Sequence, residues 1–180
     1  MDDTINQVVT ALRDALEFAV TPAQEKAMAY VKAIEIYDNF ISQAMEKYPP
    51  EHDIVCASGC SHCCKNIRVA MYPSELFVLL HVSPFNIDQL KERARNGMQV
   101  ICPFLEEDKC SIHEFKPIKC RGANSYDIEF CKNPPLIFSK KTAPQWTPAQ
   151  HAASIVHQAL GAIYGEKARP IHRIVEEYNG

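Results

Sequence analysis

The sequence predicts a mainly α fold in which helices at both ends carry an irregular, cysteine-rich segment packed against them. Three observations lead there. Apolar residues recur at three- and four-residue spacing near both ends of the chain. All eight cysteines fall between residues 56 and 131. Prolines break up the periodicity between the two helical parts. The chain therefore divides into 1–55, 56–131 and 132–180. A length of 180 residues suits one domain spanning 1–180 with a real hydrophobic core.

The first helix follows from Ile5, Val8, Val9, Leu12, Leu16 and Ala19, the stripe of an amphipathic helix. The pattern breaks at Thr21-Pro22-Ala23-Gln24. Thr21 is suited to cap a second helix, Pro22 fits its first turn, and Gln24 stands where it completes a capping box. That helix is expected to bury a broad face of Ala27, Tyr30, Val31, Ile34, Tyr37, Ile41, Met45 and Tyr48, and to stop at Pro49-Pro50. Next, Ile67, Val69 and Met71 alternate as in a short extended segment. Pro73-Ser74-Glu75 then opens a short helix through Leu80, and a second runs from Ile87 to Asn96, ended near Gly97. Beyond Cys102 periodicity is poor. The letters TPAQ return at Thr147–Gln150 and open a helix with Ala152, Ile155, Val156, Ala159, Leu160 and Ile163 on its apolar face. Nothing around the two tetrapeptides matches, so they are independent start signals rather than a duplicated unit. A last short helix carries Ile171, Ile174, Val175 and Tyr178.

Composition narrows the class. Hydrophobic residues make up 47% and charged residues 23%, which excludes a globally disordered chain. A formal net charge of −3 argues against non-specific binding to nucleic acid or to an anionic membrane surface. The longest apolar runs, such as Leu76–Leu80, are far too short to span lipid. The start of the chain is acidic, with Arg13, Asp14 and Glu17 inside the apolar pattern, unlike a signal peptide. A cytoplasmic location is the expectation, and reducing conditions there favour metal ligation over lasting disulfides.

The cysteines carry the chemistry. Four lie in nine residues: Cys56-x3-Cys60-x2-Cys63-Cys64. After 37 residues come Cys102-x7-Cys110-x9-Cys120-x10-Cys131. Spacings of two to four residues let amides wrap an ion while thiolates converge on it. The dispersed second group must be brought in by the fold, as a partner half-site. A single free cysteine is commonly a small buried hydrophobe, but four in nine residues read as ligands. Eight thiols suit two four-thiolate ions, two iron–sulfur clusters, or one polynuclear centre with bridging thiolates. On an extended backbone Cys63 and Cys64 would point apart and serve two metals, or one would be a ligand and the other a core thiol.

His62 and His113 are candidate imidazole ligands, or hydrogen-bond donors to thiolates. Lys65, Arg68, Lys116, Lys119 and Arg121 are placed to offset thiolate charge. His151 and His157, six apart, occupy different helix faces and do not pair; His172 is expected on a helix surface, and His52 and His81 have no ligand spacing. Glu106-Glu107-Asp108 reads as a solvated acidic turn. There is no HExxH, phosphate loop, dinucleotide fingerprint or GxSxG elbow.

The run Cys56-Ala-Ser-Gly-Cys60-Ser-His-Cys63-Cys64 resembles the signature of the CxxxCxxCC family of zinc- or iron-chelating proteins. The resemblance continues through the extended segment and the acidic helix start at Glu75, through Cys102-Pro103-Phe104-Leu105, and through Cys110-Ser-Ile112-His113 to Lys116-Pro117-Ile-Lys-Cys120-Arg121. It covers about residues 56–131. Lys116 stands where the family usually has arginine, which keeps the charge but loses the planar fork. The resemblance implies chelation by the eight cysteines, with Arg121 as a shared residue. Some relatives are linked to lysine methylation of flagellin, in longer proteins, and no catalytic residue is carried over.

Three functions are thereby set against each other. The first is a protein whose irregular middle is cross-linked by zinc or iron. The second is an iron–sulfur or metal-dependent oxidoreductase or transferase. The third is a metallochaperone or metal sensor that exchanges metal with a protein partner through an exposed Cys63-Cys64 pair.

Overall fold

The computed structural model describes residues 3–56, 60–65, 69–83, 85–96, 101–133 and 144–179. The fold is mainly α, with 63% of these residues helical. Ile67, Arg68 and the Gly97 stop lie outside the described residues.

Three long helices form one layer. Helix α1 (Asp3–Leu16) buries Ile5, Val8, Val9 and Leu12, the stripe read from the sequence. Helix α2 (Pro22–Lys47) starts as expected. The Gln24 amide donates to Thr21 Oγ1 at 3.2 Å, and the Thr21 amide donates back to Gln24 Oε1 at 3.1 Å. Helix α8 (Thr147–Tyr164) packs on both.

The expected face of α2 is correct in part. Tyr30 and Tyr37 are buried, and Ile34 and Ile41 pack half-buried on the cluster, but Ala29 and Ala33 complete the buried face, whereas Val31, Met45 and Tyr48 are exposed. The reason is steric. Helix α8 contributes Ala152, Ala153 and Ala159 to the cluster it shares with α1 and α2, and close helix approach selects small side chains at the contact. A reading weighted towards large apolar residues rotates the face away from it. The second TPAQ also differs from the first. Thr147 lies inside α8 and Trp146 takes the cap position without a side-chain cap. The Trp146 amide is bound instead by Asn124 Oδ1 at 2.8 Å.

The remaining elements are short. Helix α3 (His62–Lys65) makes one turn in the first cysteine cluster. Strand β1 (Ala70–Met71), at the expected extended segment, pairs antiparallel with β4 (Arg169–Pro170), Ala70 opposite Pro170. Helices α4 (Pro73–Val82) and α5 (Ile87–Asn96) follow the sequence reading. Strands β2 (Leu105–Glu106) and β3 (Lys109–Cys110) form a hairpin, Leu105 opposite Cys110. Its two turn residues, Glu107 and Asp108, both have positive φ, 46° and 61°, as the tight hairpin turn requires. Helices α6 (Ile118–Arg121) and α7 (Ile128–Lys132) carry Cys120 and Cys131. Helix α9 (Ile171–Glu177) packs against α4, α5 and β1. That placement covers His172, which is buried rather than on the surface.

Two apolar clusters result among the described residues. One unites α1, α2 and α8 with Tyr72, Val78 and Ile118. The other lies beneath the cysteines, with Met71, Leu76, Leu79, Leu90, Phe104, Ile112, Ile171 and Val175 at its centre; Cys64, Cys110 and Cys120 pack on it and Cys102 is part of it. Among the described residues no helix is long and apolar enough to cross a membrane.

Candidate metal centre

Seven of the eight cysteines line one cavity of about 240 Å³: Cys56, Cys60, Cys63, Cys64, Cys102, Cys110 and Cys120. Val69, Ile112, Pro117, Ala123 and Ile171 form its apolar walls, and His113 and Lys116 also face it. Residues 64 positions apart in the chain therefore share one space.

Backbone hydrogen bonds bring the halves together. The Cys102 amide donates to the Cys64 carbonyl at 2.7 Å, joining the two cysteine groups directly. The Val55 amide donates to the Ser125 carbonyl at 2.9 Å beside Cys56. From the helical layer, the Tyr30 hydroxyl donates to the Phe115 carbonyl and the Tyr37 hydroxyl to the Arg121 carbonyl, each at 2.8 Å. These tyrosines hold both ends of the 115–121 segment that delivers Cys120. Gly122 permits the same approach on the α8 side, since a Cβ there would meet Ala153 Cβ at 2.5 Å.

The adjacent pair is arranged differently from the expectation. Cys63 and Cys64 sit on a helical turn, not on extended backbone. Successive side chains on a helix are about 100° apart, not opposed, so both reach the same cavity. Cys64 has Cys63, Cys102 and Cys110 for neighbours, and these thiols, together with burial, push its own thiol far above the usual thiol range. Cys64 acts oppositely on two of them. Cys63 is drawn down to about 6, first by the Cys64 thiol and further by Lys116. Cys110 is drawn down to about 7, first by the Cys64 thiol and further by the Ile112 amide and Lys116. Burial, joined by the charges of Cys102 and Cys63, pushes Cys120 well up. Burial also raises Cys56, against a hydrogen bond from the Ser125 backbone.

Cys131 stands apart. It does not line the cavity, although α7 packs against α3 and Cys131 lies close enough to Cys56 to raise it electrostatically. Of the cations expected to offset thiolate charge, Lys116 faces the cavity. Lys65 pairs with Asp108 at 2.7 Å, Lys119 donates to Ser154 Oγ at 3.3 Å, and an Arg121 Nη2 donates to the Glu114 carbonyl. Of the two candidate histidines, His113 lines the cavity and His62 does not. The sequence reading missed the bracing role of Tyr30 and Tyr37, which it treated as stripe residues. It also missed buried Glu75, whose signal was an acid three residues beyond Tyr72, at a helix start.

Among the described residues, no three cysteine, histidine or acidic side chains stand ready grouped around an ion position. The donor set nevertheless fits the soft-ligand chemistry of zinc and iron, since thiolates converge from short loops and one-turn helices. All eight cysteines are free thiols, and two are already biased towards thiolate.

Comparison with known proteins agrees with that chemistry. A family model named CxxCxxCC and described as a "putative zinc- or iron-chelating domain" matches residues 55–147, just over half of the chain. The family name spaces its first two cysteines by two residues; this chain has three, Ala57-Ser58-Gly59. No curated protein and no solved structure matches the chain. The match covers the whole cavity-lining cysteine set, and the chain belongs to this family of zinc- or iron-chelating domains.

Proposed function

We propose that the chain holds zinc or iron on the clustered thiolates, and that the metal cross-links the irregular middle of the fold. One observation carries the reading: seven cysteines from three short elements and their loops face one cavity. Cys63, Cys64, Cys102 and Cys110 form the inner ligand set, joined by the backbone hydrogen bond from Cys102 to Cys64. Cys120 lies beneath them, and Cys56, Cys60 and Cys131 form an outer set around α3 and α7. Bound metal would neutralise the thiolates and join elements of four or five residues that cannot stand alone. Cys63, on the cavity wall with Cys56, Cys110 and Cys120, would be the thiolate shared between the sets if the centre were polynuclear. The setting is a reducing compartment, the cytoplasm, and residues 1–180 act as one domain.

The test is metal and sulfide analysis of anaerobically purified protein together with its visible spectrum. About two colourless zincs per chain would mark structural four-thiolate sites. Iron with sulfide and a broad visible absorbance would mark clusters and turn the reading to electron transfer. Absence of both, with eight titratable thiols, would sink it.

A metallochaperone or sensor role is favoured by one specific feature. Cys63 is exposed and biased towards thiolate near neutral pH, which suits attack by a competing acceptor. Fast metal transfer to a chelator, slowed by Cys63→Ser, would support it.

A further inference from the structure

We propose that Glu75 is a positioning residue for Cys120: its buried carboxylate caps helix α6 from a distance and so fixes where the Cys120 sulfur stands in the thiol cavity. The proposal rests on reading that cavity as a metal centre.

Helix α6 has no cap of its own. Pro117 precedes it with no side-chain cap, and proline has no amide hydrogen to give. Ile118 supplies the first free amide. Its acceptor is Glu75 Oε1 at 3.1 Å, 43 residues earlier in the chain. The other oxygen, Oε2, accepts from the Tyr72 amide at 2.8 Å at the start of α4. One carboxylate thus ties the first turns of two helices together. Cys120 follows two residues after Ile118 in a helix of only four.

The site is built for that purpose. Glu75 is 0% exposed, and a buried carboxylate is tolerated only where hydrogen bonds replace its water. Both oxygens are used by backbone donors. His157 Nε2 faces Oε2 at 3.6 Å and has no hydrogen-bond partner among the described residues. Tyr72 stacks on that imidazole with centroids 4.2 Å apart. Gly161 makes room for the stack, since a Cβ there would meet Tyr72 Oη at 2.3 Å. Helix α8 therefore backs the carboxylate, and the chain of support runs from α8 through Glu75 and α6 to Cys120. An ordinary helix cap faces water and serves its own helix. This one is dry and serves two.

The experiment is alkylation of the reduced, metal-free full-length protein with N-ethylmaleimide, followed at each cysteine by peptide mass spectrometry. In Glu75→Gln, Cys120 is expected to react about tenfold faster or more, the weight of one hydrogen bond to a charged group. Cys102 and Cys110 are expected to keep their wild-type rates. In metal-loaded protein the same variant is expected to lose about 10- to 100-fold in affinity for zinc against a chelator. If Glu75→Gln does not fold, Glu75→Asp keeps the charge but falls one methylene short of Ile118, and the same Cys120-selective rise is expected. Unchanged Cys120 reactivity, a uniform rise at all eight cysteines, or failure of both variants to fold would each overturn the proposal. A wild-type protein that binds no metal would remove the metal reading alone, and the alkylation result would still decide the role of Glu75.

Discussion

In the layer of α1, α2 and α8, Leu12, Ala29, Ala33, Val156 and Ala159 are completely buried on helices of 14 to 26 residues. In the cysteine-lined region the elements that carry Cys63, Cys64, Cys110, Cys120 and Cys131 have two to five residues each. The first region is held by repeated apolar contact along long helices. The second cannot be, because a helix of one turn has not repaid the cost of its own nucleation. It leans on the first through the Tyr30 and Tyr37 hydroxyls and through the approach of His157 to Glu75, and it gathers its sulfurs over a separate apolar floor. The contrast teaches where metal would matter: in the region with the least regular structure.

The sharpest way to break this comparison is to remove the metal. With a strong chelator under reducing conditions, amides of residues 101–131 are expected to lose most of their hydrogen-exchange protection, while α1, α2 and α8 keep theirs. The effect is the largest expected, since structural zinc contributes on the order of 10 kcal/mol to comparable small sites. Equal loss in both regions would mean that they are not energetically distinct. The converse perturbation is Leu12→Ala. It is expected to destabilise the protein by about 2–5 kcal/mol in urea unfolding, because Leu12 is fully buried, and to leave metal stoichiometry unchanged. A fall in bound metal would show that the layer shapes the site more directly than its bracing contacts suggest. The smallest effect compares the two TPAQ segments. Thr21→Ala is expected to cost about 1 kcal/mol through loss of its cap. Thr147→Ala is expected to cost nothing measurable, since Thr147 caps no amide. Equal costs would refute the difference in their roles.

That last pair shows how far local sequence reaches. The Thr21 box was legible because every atom it uses lies within four residues. The same letters at Thr147 mislead, since the start of α8 is set by Asn124, 22 residues before Trp146. The stripe of α1 and the bounds of α4 and α5 were legible for the same local reason. Of the buried face of α2, Tyr30 and Tyr37 were legible but Ala29 and Ala33 were not, because they depend on the helix packed against them. Of the candidate site, the seven cavity-lining cysteines and Lys116 were singled out by spacing, but so was Cys131, which lies outside the cavity. The shared orientation of Cys63 and Cys64 could not be read, since a spacing pattern does not distinguish one helical turn from extended chain.

The sequence by itself determined the mainly α class, the long helices and the thiol-rich character of residues 56–131, with its likeness to zinc- or iron-chelating domains. Periodicity and cysteine spacing are properties of neighbours along the chain, so they survive without knowledge of the fold. Only the tertiary structure decided that Cys102 meets Cys64, that Cys131 stands outside the cavity, and that Glu75 reaches Ile118. Each of these depends on contacts across 38 or more residues, or on which wall of a cavity a short element presents. Such contacts are set by packing against other elements, and no local pattern encodes them.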